Sequence, residues 1–351
     1  MINKKTVEDS AFNSEYVIIE HISEVNLKTY YVGFDFGRYR YDAFSEKLMD
    51  AIVDFAFGYH TGILKQYNRN KLKEAAKAIY RIKEYADVKT LYVDDDSELS
   101  DDALQIEDKY IKRGEFGELI LHLLLRDFIK TVPLLSKIYF KDTDGATVHG
   151  FDAVHIGPDL IDPAKDSIFF GESKLYSRKD NTAGEKGVND LIEDIKAHFT
   201  KDFLYREFAL IAKKKNSFEH IEDYEDSNTI AEYTEYLKKK KHWFALLEKA
   251  EKQEVKLQDF LNSVTIPLLC TYESKVLKDH NDETTQEFLS EYEAEVRSLK
   301  ELFDSKLQKI KNDVGEPIKT ELNILLMLLP IPSKKNLVKV LHQKLGNQQN
   351  A

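Results

Sequence analysis

The sequence predicts an α/β fold: a mixed sheet flanked by helices, with an N-terminal α+β extension and a charged helical insertion. Three observations support this. Turn chemistry is scarce, with only 14 Gly and 7 Pro in 351 residues, against a usual combined share of roughly 12%, so helices should be abundant. Hydrophobic residues make up 42% of the chain, including 20 Phe and 19 Tyr, enough to bury a sizeable core. Short runs rich in Val, Ile, Phe and Leu are separated by longer charged stretches of helical period, the pattern of strands set between helices.

In chain order, residues 16–22 and 28–36 read as two strands, rich in Val, Ile, Tyr and Phe. A helix is expected at 41–56. Another is expected at 71–85, where Leu72, Ala75, Ala76, Ile79 and Ile82 form a core-facing stripe. Residues 94–102 hold six acids in nine positions, the mark of a solvated linker. They divide an N-terminal region, 1–100, from a second unit, 101–351. Residues 114–125 predict an apolar helix, buried on most sides, with Glu115 and Glu118 in its first turns. Segments 136–140 and 149–156 bracket the turn cluster Asp142-Thr143-Asp144-Gly145 and read as a hairpin. A third strand follows at 167–175. Residues 188–203 are amphipathic through Leu191, Ile195 and Phe199, and 208–212 read as a fourth short strand. The charged helical insertion covers about 213–262. A strand at 264–270, a long helix at about 287–311, a strand at 322–329 and a last helix after Pro332 complete the chain. No internal repeat is present.

Composition narrows the function. Lys and Arg number 51 against 62 Asp and Glu, a net charge of −11. That excess argues against a nucleic-acid coat or a membrane-surface binder, so any nucleic-acid contact is local or assisted. The single Cys270 cannot form an intramolecular disulfide, which points to a reducing compartment. The first residues lack an apolar signal core. The longest apolar run, 324–331, is far short of the roughly 18 residues a membrane span needs. The expectation is a soluble, cytoplasmic protein with no membrane association.

The chemistry concentrates around Asp152 and Gly171-Glu172-Ser173-Lys174. Residues two apart in a strand share a face, so Glu172 and Lys174 point one way and Ser173 the other. With Asp152 level with them on a neighbouring strand, two carboxylates converge where a hard cation such as Mg²⁺ or Mn²⁺ would bind. Lys174 would then offset developing negative charge or orient a water. Glu118 could add a third carboxylate, and Glu115 lies three residues away on the same helical face. The bland alternative is a pair of sheet carboxylates bridged to Lys174 for packing alone. Glu-X-Lys occurs four times, at 107, 172, 254 and 273, so context must choose among them. Only the 172 copy has the preceding helix and an Asp-bearing strand, and Glu273-Ser274-Lys275 is its main rival. His149 and His155 read as ordinary sheet residues. The basic runs 213–215 and 238–241, the latter followed by His242-Trp243, read as solvated faces with a DNA-backbone or partner contact as the functional alternative. Tyr176, Arg178 and Lys179 are better placed to touch a phosphate. Lys334 and Lys335 could do likewise, though a C-terminal helix start with Ser333 as its N-cap explains that segment equally well.

An acidic helix, a strand with Asp, a strand with Glu-X-Lys and then a helix resembles the PD-(D/E)XK nuclease core. Gly-Glu-Phe-Gly-Glu (114–118), Gly-Glu-Ser-Lys-Leu-Tyr (171–176) and Leu-Pro-Ile-Pro-Ser-Lys-Lys (329–335) resemble the HamA family, the effector subunit of the Hachiman antiphage system. The resemblance is best over 111–203, with a second match in the C-terminal strand and helix. It implies a DNA nuclease held by a helicase partner, HamB, and released when infection is sensed. By position it makes Asp152 and Glu172 the metal ligands and Lys174 the base or charge stabiliser. With those two carboxylates holding the ion, the Ser173 main-chain carbonyl could serve as a further ligand. The superfamily's Pro before the first Asp is replaced by Phe151. The sequence leaves open a non-catalytic adaptor that regulates a helicase, or a stand-alone RNase toxin.

Overall fold

Four parallel strands form the middle of the fold. In the computed structural model, which describes residues 13–58, 69–80, 82, 114–135, 150–178, 180–213, 227–312 and 322–350, these are β2 (Leu27–Val32), β9 (Asn323–Ile331), β8 (Val264–Glu273) and β7 (Asp166–Tyr176). β1 (Ile18–Ser23) joins one side antiparallel to β2. β6 (Ala153–Pro158) and β5 (Val132–Pro133) add antiparallel strands on the other side. The sheet order is β1-β2-β9-β8-β7-β6-β5, so the strands of the N-terminal region belong to the same sheet as the rest. β3 (Phe34–Asp35) and β4 (Arg38–Tyr39) form a small separate ribbon. Because β2, β9, β8 and β7 run parallel, their C-terminal ends lie along one edge.

Strict alternation divides the interior into two cores. β8 sends Val264, Ile266, Leu268, Cys270 and Tyr272 to one face, and β9 sends Leu325, Met327, Leu329 and Ile331 to the other. The first face is covered by α5 (Ala183–His198), α6 (Lys201–Ala212), α7 (Ser227–Glu251), α8 (Leu257–Leu261) and α10 (Gln286–Asn312). The second is covered by α1 (Tyr41–Asp50), α2 (Ile52–Phe57), α3 (Arg69–Ile79), α4 (Glu115–Phe128) and α11 (Lys334–Asn350). A sheet buried on both faces explains why β8 and β9 read as continuous apolar runs. The short α9 (Lys275–Asp279) follows β8.

Three expectations need correction. Residues 208–212 form the end of α6, not a strand. Leu204, Phe208 and Ile211 are buried at helical spacing, and a five-residue apolar run does not by itself distinguish helix from strand. The single amphipathic segment read at 188–203 falls in two helices. The break falls at Thr200, whose extended backbone and side chain, accepting from the Phe203 N–H, cap α6. The helix read at 41–56 is likewise divided, with Ala51 between α1 and α2. The expected strand at 136–140, the turn after it, His149 and the acidic run 94–102 lie outside the described residues. Within them, β6 forms its hairpin with β7.

Candidate active site

The site begins just before β6. The first pair of β6 with β7 is Ala153 with Gly171, and one step back along that antiparallel register sets Asp152 level with Glu172. Asp152 Oδ2 accepts from the Ser173 main-chain N–H (2.8 Å) and from Ser173 Oγ (2.8 Å). Ser173 faces α4, whose Gly117 lies close enough that a Cβ there would stand 3.3 Å from Ser173 Oγ. In an extended strand a residue's N–H and C=O point to the same edge. The Ser173 carbonyl therefore shares the edge that β6 leaves open. Phe151, in place of the superfamily's Pro, is buried and stacked on Phe170 at 4.6 Å, which anchors the residue before Asp152.

Glu172, Lys174 and Tyr176 face α5, as the period of two predicts. Each meets one side chain of that helix. Glu172 Oε1 bonds to His198 Nδ1 (2.7 Å), Lys174 Nζ pairs with Asp194 Oδ2 (2.6 Å), and the Tyr176 hydroxyl donates to Asp190 Oδ2. Four helical residues rise about 6 Å, and two strand residues span about 6.6 Å. The near match lets alternate residues of β7 form three successive rungs with every fourth residue of α5. Close approach of the helix is required, and Gly184 and Gly187 provide it: a Cβ at Gly187 would collide with Cys270 Sγ, and one at Gly184 would stand 2.8 Å from Leu299 Cδ1.

The electrostatics reflect a crowd of acids with little positive charge. Glu172 is 3% exposed. Burial, and then the charges of Asp152 and Asp194, push its pKa well above the usual carboxylate range, with Lys174 only partly opposing. For Lys174, burial works to lower the pKa, but the hydrogen bond to Asp194 and the surrounding carboxylates outweigh it and raise it. Burial lowers the pKa of His198, against the pull of Asp194.

These groups line a cleft of about 390 Å³ between the first turn of α4 and the end of β7. Asp152, Glu172, Ser173, Lys174, Tyr176 and Glu118 all border it, and so does Lys334 at the start of α11. Lys334 Nζ donates to the Leu175 carbonyl (2.7 Å), and burial lowers its pKa. Glu115 and Arg178 do not line the cleft, and Arg178 instead donates to Thr182 Oγ1 (3.0 Å). Lys179 lies outside the described residues. The rival Glu273-Ser274-Lys275 is explained by capping. Glu273 accepts from the Lys334 N–H (2.8 Å), and Ser274 Oγ caps α9. Trp243 is buried in the core, which removes it from any stacking role, and Lys239 pairs with Asp166 at 3.0 Å. His155 is buried and bonded to His122 and Thr131, away from the cleft.

Asp190, Asp194 and His198 did not emerge from the sequence. Their signal is a polar stripe of period four, one residue before the apolar stripe Leu191, Ile195 and Phe199.

Whether a divalent cation suits this site rests on the donor set. Two carboxylates face one cleft, and their mutual repulsion helps raise the Glu172 pKa, a shortage of positive charge that a cation would correct. Among the described residues, no three His, Cys, Asp or Glu side chains are gathered as a ligand set. Mg²⁺ commonly needs only one or two carboxylates and takes its other oxygens from water and substrate phosphate. The residues fit an ion of that kind.

The fold and cleft define a class: a mixed α/β protein with an acid-and-lysine site at the C-terminal edge of its parallel strands. More specifically, the chain belongs to the HamA family, whose model matches residues 8–345, and through it to the Hachiman antiphage defence system. No curated protein matches it. No helix of the described residues is long and apolar enough to cross a membrane.

Proposed function

We propose that this chain is the nuclease effector of its Hachiman complex, a cytoplasmic Mg²⁺-dependent DNA endonuclease with a PD-(D/E)XK-type site, controlled by a HamB-type helicase subunit. The observation that carries the reading is the register that levels Asp152 with Glu172 at the mouth of one cleft, with Lys174 two residues on along the same face.

Asp152 and Glu172 would hold the cation, with the Ser173 carbonyl at the open edge as a further oxygen. Mn²⁺ would fit the same ligands. When bound, the ion supplies a Lewis acid that neutralises phosphate charge and acidifies water. Ser173 fixes Asp152 through its N–H and Oγ. Lys174, held by Asp194, stands where an ammonium can orient the attacking water or offset charge on the phosphate. Glu118 borders the cleft from the α4 side as a third acid. Tyr176, Arg178 and Lys179 are the candidate contacts to the DNA backbone, with Lys334 as a second cation in the cleft.

The test is cleavage by the purified chain with its helicase partner, Mg²⁺ and either DNA or RNA. Lys174→Ala and Asp152→Asn should each lower the rate at least about 100-fold, the usual loss when a charge-stabilising group is removed. Undiminished cleavage by Lys174→Ala would overturn the assignment, and preference for RNA would favour a toxin acting on RNA. Glu172 and Lys174 already have protein partners, which favours one competing reading, an adaptor that regulates the helicase without cutting. Calorimetry separates the two: the adaptor predicts no Mn²⁺ uptake that depends on Asp152 and Glu172.

A further inference from the structure

We infer that His198 is a positioning residue for Glu172: its Nδ1–H holds Oε1 and leaves Oε2 as the oxygen presented to the cleft. The inference rests on the metal-site reading above and adds to it the group that sets the geometry of the ligand.

Glu172 is almost wholly buried, and among the described residues its one hydrogen bond to a side chain is the 2.7 Å contact to His198. A buried carboxylate oxygen left without a partner is costly, and a carboxylate free to rotate would present its oxygens in no fixed direction. His198 answers both needs because it is itself held. Its ring lies parallel to Phe203, 4.6 Å away and tilted by 14°, and edge-on to Phe151 at 6.2 Å. The Arg206 guanidinium packs on Phe203 at 5.0 Å. The backbone adds a further constraint, since His198 occupies the last turn of α5, whose rungs at Asp194 and Asp190 fix the helix along β7. A ligand locked by packing and a supporting hydrogen bond is the usual means of holding a site to within a fraction of an ångström.

Two substitutions separate support from packing. His198→Phe keeps a ring for the stack but has no donor. His198→Asn keeps an N–H as many bonds from the backbone as Nδ1 but loses the ring. With the full-length chain and Mn²⁺ alone, calorimetry should show His198→Phe binding about 10- to 100-fold more weakly than the unaltered protein. His198→Asn should stay within a few-fold. The reverse order, Phe retaining affinity and Asn losing it, would overturn the inference. If the unaltered chain takes up no Mn²⁺, the metal reading fails separately, and the ring's ¹⁵N spectrum then decides. An Nδ1-protonated His198 that changes tautomer in Glu172→Ala supports the positioning contact. An Nε2-protonated ring, or one indifferent to Glu172→Ala, overturns it.

Discussion

Arg126, His122 and His155 lie inside the molecule on the α4 side of the sheet, where every charge needs a partner. Arg126 pairs with Asp54 at 3.0 Å and Asp127 at 2.6 Å. His155 bonds through Nε2 to His122 Nδ1 (3.1 Å) and through Nδ1 to Thr131 Oγ1 (2.9 Å). Burial, with Arg126 nearby, lowers the His155 pKa to about 3, and burial puts His122 well below its usual value as well. In the unfolded chain a histidine titrates near 6.5. Between those values the unfolded state binds the proton and the folded state does not. The stability that neutral His155 contributes is therefore complete above about pH 6.5 and is lost as pH falls towards 3. Urea denaturation should show this loss at up to about 1.4 kcal/mol per pH unit for one histidine. His155→Gln should flatten the profile, and an unchanged slope would assign the effect elsewhere. Asp54, raised to about 6 by burial despite Arg126, acts with the opposite sign between about 4 and 6. The difference between variant and parent is therefore the quantity to measure.

At the scale of elements, α5 sets the geometry of the cleft. Its contact with the sheet depends on Gly187, where an added Cβ would meet the fixed sulfur of the buried Cys270. Gly187→Ala should destabilise the fold by about 1–3 kcal/mol, as overpacking does, and a urea midpoint equal to the parent's would contradict the close approach. The same helix marks how far the sequence could be read. Glu172 and Lys174 could be placed on one face because a strand's period is two and needs no knowledge of neighbours. Asp152 could only be supposed level with them, because the hairpin read from the sequence joined 136–140 to 149–156, and the pairing of β6 with β7 is a longer-range fact. Asp194 and His198 could not be placed, because a polar stripe on a helix looks the same whether it meets solvent or a strand end. α6 was misread for a related reason: Phe208–Ala212 is too short for its period to show, and the decisive cap is a single Thr200. β8 and β9 were legible as long apolar runs, but their place in the sheet order depends on long-range pairing that composition does not encode.

For the molecule as a whole, a net charge of −11 opposes DNA even before the acids of the cleft are counted. The isolated chain should bind a short duplex more weakly than about 10⁻⁶ M at physiological salt, within the range of non-specific contacts. If the chain acts with a helicase subunit as proposed, the complex should bind more tightly and with the steeper salt dependence. Equal affinity for the chain alone would contradict this division of labour. The sheet order also governs when the molecule can take shape. β9 is the last strand in sequence, yet it lies between β2 and β8, pairing Leu27–Thr29 on one side and nine residues of β8 on the other. During synthesis, which delivers the N-terminus first, β1-β2 and β8-β7-β6-β5 remain two half-sheets with no edge in common. A chain cut short before Asn323 lacks the joining strand, and with it α11 and the Lys334 side of the cleft. The Lys334 side of the cleft is thus added only once β9 and α11 have been made, after the strands that carry Asp152, Glu172 and Lys174.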